Sequence, residues 1–227
     1  MRVLAIDTAL EACSAAVLDT ERASIAAHES LPMVRGHAEA LIPLIARVLE
    51  RARLVFSEID RVAVTTGPGS FTGLRVGISA ARGIALATGK PAVGLSTLAV
   101  YAAPFIAADD TLPVVAVIDA RHDHVYLQVF GPGGHTLVAP RLVPLREALR
   151  VAATGAPRLV GTAANMLAAV WPSGERAPTV VEQRQAPDID WVARLGAAAV
   201  DTGSPPKPLY LRAPDAQPQD AARLARR

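Results

Sequence analysis

Cysteine, lysine and aromatic residues are scarce in this chain of 227 residues. Cys13 is the only cysteine, so an intramolecular disulfide is excluded and a reducing compartment is favoured. The net charge of +2 is too small to indicate a nucleic-acid partner by itself. Aromatic residues make up 4% of the chain, and no alternation with basic residues surrounds them. We therefore expect packing residues rather than base-stacking residues at Trp171, Trp191 and Tyr210.

Long apolar runs are also missing, although 51% of the residues are hydrophobic. No apolar stretch approaches the roughly 18 residues that a membrane helix needs, so the sequence predicts no membrane span. The first residues run directly into a strand pattern, and we expect neither an export signal nor a location outside the cytoplasm. The composition is typical of a globular chain with one or two cores.

The most distinctive stretch is glycine-rich and covers residues 65–90, TTGPGSFTGLRVGISAARGIALATGK. It predicts a strand over 59–64, a tight turn, and a helix over 72–88. A P-loop is excluded because Leu74 and Arg75 follow Gly73, and the glycine spacing does not match a dinucleotide fingerprint. A nucleophile elbow is excluded because Pro68 and Thr72 flank Ser70. A structural turn capped by Ser70 or Thr72 remains the plain alternative to an anion site.

Small residues line one face of the predicted helix. Gly73 and Gly77 form a GxxxG pair, and Gly83 adds a third glycine inside the helix. Each glycine costs up to about 1 kcal/mol relative to alanine, which indicates that another backbone comes close. Two interpretations stay open, packing on the protein's own sheet and contact with a helix of a second subunit.

The segment TGPGSFTGLRVGISAARGIAL resembles the signature of the TsaB (YeaZ) family. Further segments resemble that family in the same order along most of the chain: VLAIDTALEACSAAVLD at the start, HAEALIPLI at 37–45, GLSTLAVYA at 94–102, VIDARHDHVY at 117–126 and PLYLR at 208–212. The glycine-rich segment together with the DTA opening is the most specific part of the resemblance.

The resemblance implies a bacterial accessory subunit without catalytic residues of its own. In that family the subunit binds the catalytic paralogue TsaD, and the ATPase TsaE joins the complex. TsaD transfers a threonylcarbamoyl group to N6 of the adenosine beside the anticodon, in tRNAs that read codons beginning with A. This chain would meet tRNA only through the complex, and it would form a homodimer when alone.

The resemblance also implies the α/β fold of actin-like ATPases, a duplicated ribonuclease-H-like fold with two lobes. An internal repeat supports it, because the strand, aspartate and hairpin pattern of residues 3–19 recurs at 114–130, with Asp119 in the place of Asp7. We predict a partner-binding lobe over 1–101 and a smaller lobe over 102–212. We also predict a linker within 101–113, a loop-rich excursion at 131–146 and a flexible tail at 213–227.

In actin-like ATPases the first phosphate loop holds a glycine where this chain has Ala9, which makes ATP hydrolysis doubtful. We expect no required cofactor and at most weak binding of ATP or ADP, at Asp7, Thr8, Gly67 and Gly69. An equal alternative is that the Asp7 carboxylate only caps its turn.

The paralogue TsaD holds a metal through an HxxxH pair, and here Leu41 stands four residues after His37. A metal needs three or four ligands, so the sequence predicts no metal site and no catalytic residues. His122 and His124 are a weaker candidate pair, should both lie in one strand.

The apolar stripe of a helix over 37–53 and the small-residue stripe of the helix over 72–88 predict the partner surface. Pro43 indicates that the first of these helices either begins or kinks there. The predicted interface residues are His37, Leu41, Leu44, Ile45, Val48, Gly73, Leu74, Gly77, Ile78 and Ala81. A Gly77→Leu variant is accordingly expected to fold and to lose the partner.

Two other classes of function stay open at the level of sequence. The first is an enzyme, either a small-molecule kinase of the actin-like superfamily or an M22-type metallopeptidase. Ala9 weighs against the kinase and Leu41 against the peptidase. The second is a stand-alone tRNA-binding module, against which the scattered arginines argue.

Overall fold

The structure is a computed structural model, and it describes residues 1–153 and 155–212. The predicted tail at 213–227 lies outside the described residues. The chain forms two five-stranded mixed sheets, each with helices on both faces. Within the described ranges, no helix combines the length and the apolar character needed to cross a membrane.

The first sheet has the strand order β3-β2-β1-β4-β5. Its strands are β1 Arg2–Asp7, β2 Ala12–Asp19, β3 Ser24–Pro32, β4 Arg61–Gly67 and β5 Ala92–Ser96. The first three strands are antiparallel neighbours, whereas β4 and β5 run parallel to β1. Its helices are α1 His37–Ala52, between β3 and β4, and α2 Phe71–Thr88, between β4 and β5.

The second half repeats this arrangement. After α3 Thr97–Ala108, the strands are β6 Val114–Asp119, β7 His124–Phe130, β8 Thr136–Pro144, β9 Arg158–Val160 and β10 Val180–Glu182. Their order is β8-β7-β6-β9-β10, with the same parallel and antiparallel pairs as in the first sheet. The helices are α4 Leu145–Ala152, α5 Ala164–Ala169 and α6 Ile189–Ala198. The predicted duplicated actin-like α/β fold with two lobes is thereby confirmed.

One helix from each half of the sequence packs on the sheet formed by the other half. Helices α1 and α2 cover one face of the first sheet, and α6 covers the other face through Ile189, Val192 and Ala193. Helices α4 and α5 cover one face of the second sheet, and α3 covers the other face through Leu98 and Tyr101. Each sheet is therefore completed by a helix from the other half of the sequence. The predicted division at residue 101 stays a prediction, but α6, which that prediction assigned to the second lobe, packs on the first.

Helix α1 extends from His37 to Ala52, close to the predicted 37–53, so it does not begin at Pro43, and the apolar stripe on either side of the proline packs on the sheet. Two other predicted boundaries differ from the structure. The predicted linker is helical as far as Ala108, which leaves only 109–113 as the connection. The predicted loop-rich excursion at 131–146 contains β8, which among the described strands pairs with β7 alone. Prolines are tolerated in such an edge strand because its outer N–H groups need no partner.

Candidate functional site: the helix pair α1–α2 and the turn that supports it

The turn between β4 and α2 packs directly against the turn between β1 and β2. The backbone N–H of Ser70 donates a hydrogen bond to the Ala9 carbonyl at 2.7 Å, and the Thr8 hydroxyl donates to the Gly73 carbonyl at 2.7 Å. A Cβ atom on Gly73 would lie 2.1 Å from the Thr8 carbonyl oxygen, and one on Gly69 would lie 2.4 Å from the Ala9 carbonyl oxygen. These glycines are required because the two turns are in backbone contact.

Asp7 lies at the end of β1, completely buried. Its Oδ1 accepts hydrogen bonds from the Thr65 hydroxyl at 2.5 Å and from the Ala9 N–H at 3.2 Å. Its Oδ2 is buried and has no hydrogen-bond partner among the described residues. Burial raises the pKa of this carboxyl to about 6, although both hydrogen bonds lower it. The hydrogen bond from the Ala9 N–H shows that the Asp7 carboxylate caps its turn, which is one of the two roles that the sequence left open.

The residues assigned to weak nucleotide binding lie around the contact between the two turns. Asp7 and Thr8 are buried under the α2 turn, and the turn's own backbone fills the space above them. Gly67 is covered by residue 209, because a Cβ atom on Gly67 would lie 2.9 Å from the carbonyl oxygen of Leu209. The arrangement supports the position of α2.

Residues 206–212, here called the strap, cross the end of the first sheet. The Leu209 N–H donates to the Thr66 carbonyl at 2.8 Å. The ring of Tyr210 stacks on Phe71 at the start of α2, and the Arg212 side chain donates to the Ala120 carbonyl of the second lobe at 3.2 Å. Tyr210 is 44% exposed, so of the two roles predicted for it, core or packing residue, it takes the second by lying against Phe71.

The ten predicted interface residues are all buried within this chain. Leu41, Leu44, Ile45 and Val48 of α1 join the core under the first sheet, together with Leu74, Ile78 and Ala81 of α2. His37 is 8% exposed, and its Nε2 donates to the Leu10 carbonyl. A Cβ atom on Gly77 would lie 2.5 Å from the Thr8 hydroxyl oxygen. The small-residue stripe packs on the protein's own sheet and turn, and among the ten residues Leu41 alone also lines the groove between the two helices.

This burial also overturns the expectation for Gly77→Leu. A leucine side chain there would collide with Thr8, Val64 and Ile6. The variant would lose its fold before it could report on an interface.

The opposite side of the same two helices is exposed and largely uncharged. We call it the outer helix face, formed by Ala38, Ile42, Ala46, Phe71, Thr72, Arg75, Val76, Ser79, Ala80 and Gly83. A shallow groove of about 520 Å³ runs between the helices along this face. Ile42 is 51% exposed and Phe71 is 42% exposed, which is unusual for large apolar side chains that lie so close together.

Gly83 differs from the other two helical glycines that the sequence singled out. No atom of the described chain lies within 4 Å of the position its Cβ would take. Gly83 therefore has no intramolecular reason to be glycine, although glycine is unfavourable inside a helix. An exposed helical glycine is consistent with the close approach of another chain.

The candidate histidine pair does not form. His122 lies in a turn with φ 51°, and only His124 belongs to β7. In the part of the chain that the structure describes, no group of three His, Cys, Asp or Glu residues is arranged to hold a metal ion. Trp171 packs on the core of the second lobe, and Trp191, in α6, packs on the core of the first, as predicted.

Comparison with known proteins identifies the family. The sequence model described as "TsaD: tRNA N6-adenosine threonylcarbamoyltransferase" matches residues 31–186, which include α1 and α2. An uncharacterized protein of Mycobacterium tuberculosis is 35% identical over 95% of this chain and 94% of its own length. The crystal structure of YeaZ from Pseudomonas aeruginosa superposes with a TM-score of 0.75 at 28% identity, covering 92% of this chain and 99% of that one.

The tRNA threonylcarbamoyladenosine biosynthesis protein TsaB of Escherichia coli is 40% identical over 126 residues. That match covers 56% of this chain and 53% of the E. coli protein, so it spans about half the length of the relative. With the duplicated fold, the family match and the YeaZ structure in agreement, the chain belongs to the TsaD family and, within it, to the TsaB (YeaZ) proteins.

Proposed function

We propose that this protein is a non-catalytic accessory subunit in the biosynthesis of threonylcarbamoyladenosine in tRNA, and that it binds the catalytic paralogue TsaD through the outer helix face. The observation that carries the proposal is the exposed groove between α1 and α2, with Ile42 and Phe71 on its walls. Apolar surface of this kind stabilises a complex when it is removed from water.

The family relationship supports TsaD as the occupant. Because the TsaD model matches a range that contains α1 and α2, the paralogue has a corresponding helix pair. Two related chains can place such pairs face to face about an approximate two-fold axis, as identical subunits do about an exact one. The same geometry accounts for a homodimer of this chain when TsaD is absent.

The remaining parts of the proposal follow from this role. The subunit stabilises TsaD in its working form, requires no nucleotide or metal of its own, and meets the ATPase TsaE and tRNA as parts of the assembled complex. It acts in the cytoplasm, where tRNA is modified. The contact between the β1–β2 turn and the α2 turn supports a structural role, since it fixes the helix that carries half of the outer face.

Ile42→Asp tests the placement of the interface. A charge in the middle of the apolar groove must be desolvated in the complex, so we expect the Kd for TsaD of the same organism to rise at least about a hundredfold. Light scattering coupled to size-exclusion chromatography measures complex formation. Incorporation of threonylcarbamoyl into tRNA by TsaD measures the function, and it should fall in parallel.

Leu137→Asp is the matched control, because Leu137 is 49% exposed on β8 of the second lobe. We expect this variant to bind TsaD as the wild type does. If Ile42→Asp binds normally, the outer helix face is not the interface. If the wild-type protein does not bind TsaD and does not support tRNA modification, the proposed function itself is wrong.

A further inference from the structure

We propose that the strap is part of the partner surface, and that Phe71 and Tyr210 hold Arg75 in position for a carboxylate of the bound TsaD chain. The inference rests on the proposed function and adds to it a contact that lies outside both helices. It assigns a role to Tyr210, for which the sequence predicted only packing, and to Arg75, which served only to exclude a P-loop.

The three side chains form one unit at the end of the groove. The Arg75 guanidinium carbon lies 3.7 Å from the centre of the Phe71 ring, and the Phe71 and Tyr210 ring centres are 5.4 Å apart. The Arg75 Nε–H donates to the Tyr210 hydroxyl at 3.2 Å. Phe71 and Arg75 both line the groove, so the unit is continuous with the outer helix face.

The strap holds Tyr210 in place from both sides. Leu209, the preceding residue, is hydrogen-bonded to Thr66 of the first lobe, and Arg212 is hydrogen-bonded to Ala120 of the second lobe. Both rings remain more than 40% exposed despite these contacts. Exposed aromatic side chains that are already ordered lose little conformational entropy on binding, and Tyr and Arg are enriched at the energetic centres of interfaces.

The charge of Arg75 points to an acidic side chain. Across residues 1–153 and 155–212, no carboxylate lies within ion-pair distance of the Arg75 guanidinium, although other exposed arginines such as Arg47 and Arg51 have one. The bond to Tyr210 uses only Nε, so within the described residues both terminal nitrogens remain free to donate to a carboxylate.

The surroundings favour a protein carboxylate over an RNA phosphate. Arg75 is the only charged residue that lines this groove in the described part of the chain, and its neighbours are Ile42, Val76 and Ala80. An RNA backbone is bound by several cations along its length, whereas a single arginine at the edge of an apolar groove is typical of a protein interface.

Tyr210→Ala and Arg75→Gln test the inference with full-length protein and TsaD. We expect each to raise the Kd about tenfold, as measured by calorimetry or surface plasmon resonance. Tyr210→Phe keeps the contact with Phe71 and loses the hydroxyl that accepts from Arg75, so its Kd should rise about threefold, less than for Tyr210→Ala. Arg75→Gln should also weaken the dependence of the Kd on salt, because an exposed ion pair is screened by ions.

The outcomes separate the inference from the proposed function. If Ile42→Asp abolishes binding but Arg75→Gln and Tyr210→Ala bind like the wild type, the strap is not part of the surface and the proposed function stands. If Arg75→Gln reduces crosslinking to tRNA and leaves the Kd for TsaD unchanged, Arg75 contacts RNA and the inference is wrong. Thermal melting shows whether Tyr210→Ala folds. If it does not fold, Arg75→Gln alone still tests the inference.

Discussion

Replacing Gly73 with alanine is expected to lower the free energy of unfolding by about 3 kcal/mol or more, whereas the same replacement at Gly83 should raise it by up to about 1 kcal/mol. Both residues lie in α2, so the helix propensity gained is the same. The difference arises because the Cβ of residue 73 would lie 2.1 Å from the Thr8 carbonyl oxygen, a backbone atom that cannot move aside, while nothing lies within 4 Å at position 83.

Urea unfolding followed by circular dichroism measures both variants under the same conditions. A loss of stability at both positions would contradict the assignment of Gly83 to a solvent-facing site. Only Gly83→Ala is expected to remain fully folded, so it can also be assayed with TsaD. A larger variant, Gly83→Leu, should fold and bind TsaD more weakly if the partner backbone approaches this residue.

Asp7→Asn is expected to stabilise the protein at neutral pH and to have no such effect in acid. Burial raises the pKa of Asp7 from an ordinary 3.8 to about 6, so the folded state favours the protonated carboxyl. The stability that this preference contributes is fully present below about pH 4 and is lost as the pH rises through 6. A shift of about two units corresponds to roughly 3 kcal/mol between those limits.

Asparagine keeps an oxygen for the Thr65 and Ala9 hydrogen bonds and cannot ionise. The difference in free energy of unfolding between Asp7→Asn and the wild type should therefore grow by roughly 3 kcal/mol from pH 4 to pH 7.5. Asp110→Asn, at an exposed carboxyl, is the control for the loss of one negative charge. If the difference in free energy of unfolding between Asp7→Asn and the wild type does not change with pH, ionisation of the Asp7 carboxyl does not destabilise the folded state, and the prediction is wrong.

The duplicated fold could be predicted because the sequence contains an internal repeat. The Asp7 and Asp119 segments share a strand, an aspartate and a returning strand, and this pattern depends only on neighbours along the chain. The helix pair was predictable for the same reason. What the periodicity could not decide was which face of the pair is buried by the chain itself.

The strongest apolar stripe on a helix is the one that the monomer buries first, and this explains why the predicted interface residues are buried. Leu41, Leu44 and Ile45 dominate the pattern of α1, so they attracted the prediction, yet they belong to the core. Ala38, Ile42 and Ala46 form a weaker stripe of smaller residues on the outer side. The glycine at position 83 was a usable signal, but only the structure separates it from Gly73 and Gly77.

The strap could not be derived from local pattern at all. Tyr210 contacts Phe71 and Arg75 across 135 residues or more of sequence, and no periodicity relates the two segments. The resemblance at PLYLR marked the segment as characteristic of the family without indicating what it touches. Long-range contacts between a helix start and an irregular segment are visible only in the folded chain.

The exchange of α3 and α6 between the lobes sets the order in which the protein can be completed on the ribosome. The first sheet has all its strands once residue 96 has been made, but one of its faces stays open until α6, at Ile189–Ala198, has emerged. Incomplete chains therefore expose an apolar sheet surface, to which chaperones bind and through which the chains can aggregate. Neither half of this gene product should be obtainable as a separate soluble fragment, even though each resembles a self-contained repeat.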